Sequence, residues 1–220
     1  MRNNALNNVK DKLAINSCIK EKMSNDYIIR PLERQDCKAI ARMHNRLMPQ
    51  TSMAMLGDAF TELVYLTIAD SKNAFCFVAV SGDTIAGFAC ATTSITAFKK
   101  EFKKKYCFKA SLQVLKKALN FKVIQILLKL SSVTKSITGL PDAEFISLAV
   151  DPDYRKTGLT FTFFNKIRSE FKRRGVNACR LSIHESYKDL QRVYEILGAK
   201  FFGEVAITKD IRWREYTWTF

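Results

Sequence analysis

Apolar positions along the chain recur at two spacings, and the switch between them marks the elements. Tyr27 to Leu32 (YIIRPL) reads as a short strand closed by Pro31. From Glu33 to Leu47 the apolar residues Ala39, Ile40, Met43 and Leu47 fall three and four apart, which predicts a helix. Leu56 to Ala69 repeats that pattern, with Leu56, Phe60, Leu63, Val64 and Ile68 on one face. Asp58 and Glu62 lie toward its N-terminus, where the helix dipole favours carboxylates. Two runs rich in β-branched and aromatic residues follow, Ala74 to Val80 and Thr84 to Thr93, joined by Ser81-Gly82-Asp83 as a hairpin.

Glu144 to Val150 (EFISLAV) is a further apolar run, ended by Asp151-Pro152, and reads as the central strand. Residues 158–174 form a helix that Gly175 stops. Asn177 to His184 is a strand, Lys188 to Leu197 a helix capped by Gly198, and Lys200 to Ile207 pairs with Ile211 to Thr219 as a closing hairpin. Strands alternating with helices over the C-terminal half predict an α/β fold built on a single layered sheet of about seven strands.

The 220 residues, 47% apolar, suffice for one substantial core, and no repeat or Pro/Gly-rich linker divides them. Residues 27–220 are therefore expected to form one domain, preceded by a tail over 1–26 with too few large apolar side chains to pack firmly. That N-terminus has no apolar h-region, which argues against export and for a cytoplasmic location. The six cysteines are scattered without a CxxC pair, which fits a reduced compartment and argues against zinc.

The net charge of +15 is concentrated: between Phe98 and Lys135 eleven lysines face one acid, Glu101. That insert reads as two helices, the second carrying Leu112, Leu115, Leu119, Val123, Ile126 and Leu130 at helical spacing. An insert packed on the core with its lysines in water, a basic helix lying on an anionic membrane surface, and contact with nucleic acid or an acidic partner are three readings in decreasing order of weight.

The stretch from Leu148 to Ile167 (LAVDPDYRKTGLTFTFFNKI) carries the chemistry. A strand, a turn, then Arg155-Lys156-Thr157-Gly158-Leu159-Thr160 opening a helix is an anion-binding arrangement. Unpaired amides and the helix dipole face outward, glycine permits close backbone approach, and two cations add full charge.

With the upstream AVDP, the hairpin FVAVSGDTIAGF before it and YEILGAKFFGE after it, this order of motifs resembles the GNAT superfamily over Tyr27 to about Thr208. The family's signature is Arg/Gln-x-x-Gly-x-Gly/Ala: Arg155 and Gly158 match, and Thr160 departs from it. The resemblance implies a mixed, largely antiparallel twisted sheet flanked by helices. It also implies acetyl-CoA, its pantetheine arm along Leu148, Ala149 and Val150 and its diphosphate on the amides from Lys156 to Thr160. Tyr194 falls at the family's tyrosine position, where a phenol can protonate the departing thiolate, and Tyr187 stands where the family often has a cofactor-binding asparagine.

Acyl transfer to an amine needs the neutral nucleophile, whereas alkyl ammonium groups titrate near pH 10. Glu144, at the start of the central strand, is the first candidate base and His184, at the end of the next strand, the second. His44, among Met43, Leu47 and Met48, reads as packing. The resemblance thus implies an N-acetyltransferase, with a small-molecule amine or amino sugar preferred as acceptor over a protein amine. Thr160 and Tyr187 leave open a non-catalytic docking module with a degenerate site.

Overall fold

The computed structural model describes residues 27–117, 139–206 and 212–220. The expected tail over 1–26 and the part of the insert beyond Lys117, with Leu119, Val123, Ile126 and Leu130, lie outside the described residues, as do Ile207 and Ile211.

Seven strands form one sheet: β1 (Ile28–Pro31), β2 (Ala74–Ser81), β3 (Thr84–Thr92), β4 (Glu144–Val150), β5 (Ala178–His184), β6 (Lys200–Ala206) and β7 (Arg212–Thr219), in the order β1-β2-β3-β4-β5-β7-β6. Every neighbouring pair is antiparallel except β4 with β5, which is parallel. The helices are α1 (Cys37–Leu47), α2 (Ser52–Leu56), α3 (Asp58–Asp70), α4 (Ile95–Lys117), α5 (Leu159–Arg173) and α6 (Lys188–Ile196).

Both faces of the sheet are covered, which explains why β2 and β3 read as nearly continuous apolar runs. Phe75 and Ala79 point into a core beneath α5 and α6, where Phe163, Phe164, Ile167 and Phe171 meet Phe145, Leu181 and Trp218. Cys76 and Val78 point the other way, toward Ile40, Met43, Tyr65 and Ile68 of α1 and α3.

Two expectations change. The helix read from Leu56 to Ala69 is divided, because Gly57 adopts φ 90° and closes α2 before α3 begins. Thr51 caps α2, its hydroxyl accepting the Ala54 amide at 3.3 Å. The first part of the basic insert is one unbroken helix through Lys117, so Leu112 and Leu115 continue α4 rather than open a second helix. The cause is a four-residue repeat, Phe98, Phe102, Tyr106 and Ala110, that keeps one side of α4 buried or half-buried while Lys99, Lys100, Lys103, Lys104, Lys105 and Lys109 stay in water. Among the described residues no helix is long and apolar enough to cross a membrane.

Candidate functional site

The central strand is where regular pairing fails. Opposite β3, Cys90 faces Ser147 and the next residue, Ala91, faces Phe145, so Ile146 is an extra residue in β4. Such a bulge bends its strand. Ladder pairing between β4 and β5 covers only Glu144 with Arg180 and Phe145 with Leu181. From Ile146 to Val150, the edge of β4 that faces β5 therefore has no strand partner among the described residues. Backbone groups left open in this way accept an added extended chain that carries its own amides.

A cleft of about 530 Å³ occupies this opening. Its walls are β4 from Phe145 to Val150, Ser182 to His184 of β5, and Tyr187 and Tyr194. Arg155 and Thr160 line it from the loop and first turn of α5, and Leu47, Met48, Thr51 and Trp213 complete it.

The loop before α5 is shaped for an anion. Lys156 has φ 66° and Gly158 φ 82°, a left-handed geometry at both residues that turns successive amides outward. The first amide of this turn to find a backbone acceptor is that of Thr162, 3.1 Å from the Gly158 carbonyl, which leaves the amides of Leu159, Thr160 and Phe161 without a backbone partner among the described residues. The Thr157 hydroxyl is turned inward onto the Tyr154 carbonyl at 2.7 Å, and the Leu159 side chain is buried in the core. Both therefore offer backbone, not side chain. Thr160, in place of the small residue of the motif, keeps its side chain at the cleft wall. An anion at this end and an amide-bearing arm along β4 fit one extended ligand.

The two faces of the sheet contribute different groups to the cleft. Tyr194 comes from α6, on the side of α5, and is almost wholly buried, edge-on to Phe164 at 5.8 Å and Tyr216 at 5.6 Å. Burial pushes its phenol well above the usual tyrosine value, so it stays protonated. On β5 the residues facing that core are Cys179, Leu181 and Ile183; Ser182 and His184, in alternate positions, face the opposite side, toward α1 and α2. His184 sits edge-on between Tyr187 and Trp213, and its Nδ1 accepts the Ser186 amide at 3.2 Å. The same Nδ1 also meets Ser186 Oγ at 2.8 Å.

Glu144 does not line the cleft. It stands where β4 and β5 are still paired and is bound to Arg180 as a shielded ion pair. Tyr187 does line it, and its hydroxyl donates to Gln50 Oε1 at 2.5 Å, tying the start of α6 to the loop before α2. His44 is fully buried, as its packing reading requires, but it is also bonded through both nitrogens, to Tyr65 Oη at 2.8 Å and Thr51 Oγ1 at 2.9 Å. The Tyr65 hydroxyl in turn meets Ser147 Oγ at 3.2 Å, so the chain ends on the β4 bulge. Sequence reading missed Ser182, Trp213 and Gln50. Ser182 alternates with apolar neighbours on β5, a signal that marks its face but not what lies opposite.

The family model described as the acetyltransferase (GNAT) family matches residues 40–199. No curated protein sequence matches the chain. Among solved structures, the Escherichia coli ribosomal-protein-S18-alanine N-acetyltransferase aligns with TM-score 0.53 at 16% identity, covering 88% of this chain and 93% of that one. Arabidopsis thaliana NAA60 in complex with acetyl-CoA aligns with TM-score 0.55 at 11% identity, covering 88% and 98%. The Drosophila melanogaster polyamine N-acetyltransferase aligns with TM-score 0.56 at 13% identity, covering 88% and 100%. At these identities the likeness is one of fold.

Proposed function

Because the chain belongs to the acetyltransferase (GNAT) family, we propose that it transfers an acetyl or similarly short acyl group from acetyl-CoA to the primary amine of a small molecule or amino sugar. The observation that carries this reading is the unpaired edge of β4 leading to the outward-turned amides before α5, one continuous surface for an amide-bearing arm that ends in a diphosphate. Leu148, Ala149 and Val150 hold the arm, and Arg155 with the amides from Lys156 to Thr160 holds the diphosphate. Bound acetyl-CoA supplies a thioester, an activated acyl carbonyl with a good leaving group.

The chain's own residues manage protons and position. Tyr194 Oη is the acid for the departing sulfur. Burial raises its pKa, which keeps the proton on the phenol until negative charge develops on the sulfur, and the phenolate left behind regains a proton from water. The acceptor enters from the opposite face, between His184, Trp213 and the loop before α2. The Tyr187–Gln50 bond narrows that side and favours a small amine over the terminus of a folded protein. Neither expected base is well placed. Glu144 is committed to Arg180, and the Nδ1 of His184 is engaged by Ser186.

Calorimetry with acetyl-CoA, followed by thiol release over a panel of primary amines, tests the proposal. We expect binding together with amine-dependent thiol release. Saturating acetyl-CoA without any heat of binding would remove the reading.

A further inference from the structure

The acceptor ammonium must lose a proton before it can attack, and the cleft offers one route that neither expected base provides. Ser182 Oγ lines the cleft on the acceptor face of β5. Its β7 register partner is Glu215, and its hydroxyl donates to Glu215 Oε2 at 2.6 Å. Glu215 itself is 7% exposed and is absent from the cleft wall, so a ligand reaches it only through the serine. A buried carboxylate is costly to keep unless it is hydrogen-bonded or paired.

We infer that Glu215, acting through the Ser182 hydroxyl, receives the proton that the acceptor ammonium loses. The inference rests on the acyl-transfer reading. The ammonium N–H breaks as an O–H forms at Ser182 Oγ, and the proton already on Ser182 passes to Glu215 Oε2. The nitrogen keeps the electron pair with which it attacks, and Glu215 later returns its proton to water. Ser182 and Tyr194 lie on opposite faces of the opened sheet, so proton removal from the nucleophile and proton delivery to the leaving group are kept apart.

The surroundings raise the Glu215 carboxyl above the ordinary glutamate range. Burial raises the Glu215 carboxyl above the usual glutamate value, the Ser182 hydrogen bond and Arg180 pull it back, and Glu144 beyond them pushes it up. Arg180, 9% exposed and with its Nε unpartnered among the described residues, faces Glu144, Glu215 and Asp142, and Lys99 of α4 is near the same group. Glu144 is the acid that acts most strongly on Arg180. Without that ion pair, Arg180 would hold Glu215 as a fixed, weakly basic carboxylate. Glu144 is thus assigned an indirect part, as the counter-ion that leaves Glu215 free to titrate.

Two measurements test the inference. Infrared difference titration of wild type against Glu215→Gln reads this carboxyl with no acceptor present. We expect protonation above the ordinary glutamate range, moving further up in Ser182→Ala, which removes a hydrogen bond to the charged form. Titration in the ordinary range and indifference to Ser182→Ala overturn it. The second compares spermidine, an ammonium at pH 7, with hydroxylamine, which is already neutral there. Glu215→Gln is expected to lower kcat for spermidine about 100-fold, with the acetyl-CoA KM changed by less than about twofold and hydroxylamine turnover far less affected. Equal losses on both acceptors, or an acid limb that survives Glu215→Gln and vanishes in His184→Gln, overturn the role of Glu215 alone. A wild type that binds acetyl-CoA yet acylates neither amine removes the acyl-transfer reading and this inference with it.

Discussion

At Tyr194 the decisive quantity is how far burial holds the phenol from ionising. Because its pKa is raised, raising pH does not deprotonate it in the range where an exposed tyrosine near 10 would ionise. The kcat profile should therefore rise with pH and then stay level to about pH 10. Tyr194→Phe keeps the ring contacts with Phe164 and Tyr216 and should lower kcat about 100-fold with acetyl-CoA affinity unchanged. An equal loss of affinity in calorimetry would mark the hydroxyl as a cofactor contact instead. Glu144 leads elsewhere: Glu144→Gln removes the ion-pair partner of Arg180 in a shielded site, leaving Glu215 and Asp142 as its nearby acids, and should destabilise the fold by about 3 kcal/mol in urea denaturation. His44 provides a third test. Its folded pKa is lowered by burial to about 4 from 6.5, so its contribution is complete above pH 6.5 and is lost as pH falls from there through 4. That loss amounts to about 3 kcal/mol across the window. His44→Phe should flatten this part of the stability profile, and an unchanged slope would place the titration elsewhere. Tyr194, Arg155 and Gly158 were legible because a spacing carries them. The fate of Glu144 was not, because Arg180 is distant in sequence and meets it only through the β4–β5 register.

Among the elements, β4 is the one whose irregularity makes the site. Seven strands and the main helices could be read from periodicity because both sheet faces are buried and Gly175 and Gly198 end their helices sharply. The extra residue at Ile146 could not. EFISLAV looks like an ordinary apolar strand, and the bulge exists only relative to β3. Past the bulge β4 stays paired with β3 and packs tightly on Gly87: a Cβ there would lie 2.8 Å from the Ala149 carbonyl oxygen and 3.2 Å from Phe163 Cε2. Gly87→Ala must therefore displace β4, whose edge is proposed to receive the pantetheine arm, or α5, whose first amides are proposed to hold the diphosphate. It should cost about 1–3 kcal/mol of stability, the usual penalty for overpacking, and weaken acetyl-CoA binding more than it changes kcat. A variant that is less stable but binds acetyl-CoA normally would show that β4 yields elsewhere.

Over the whole molecule, the question is whether the charge of +15 serves the site or only surrounds it. The composition made that charge visible, and its concentration in one segment left three readings, first among them an insert packed on the core with its lysines in water. Among the described residues, Lys104 and Lys105 of α4 border a depression with Asp70 and Glu101, Lys105 paired to Asp70, while the cleft is lined by Arg155 and by the backbone before α5. A polyanionic cofactor approaching a basic protein feels the whole field at long range, but salt screens charges farther away than about 8–10 Å. Local charge should therefore control affinity, and distant charge only the encounter rate at low salt. Acetyl-CoA affinity is expected to fall several-fold between low and high ionic strength, and Arg155→Ala should weaken binding and flatten that dependence. Reversing Lys104 and Lys105 to glutamate together changes the net charge by four, against one for Arg155→Ala. It should nevertheless leave the equilibrium constant at physiological salt nearly unchanged while slowing association in dilute buffer. If the α4 pair altered affinity more than Arg155 did, the basic helix would have to lie over the cofactor, and the division between anion site and insert would be wrong.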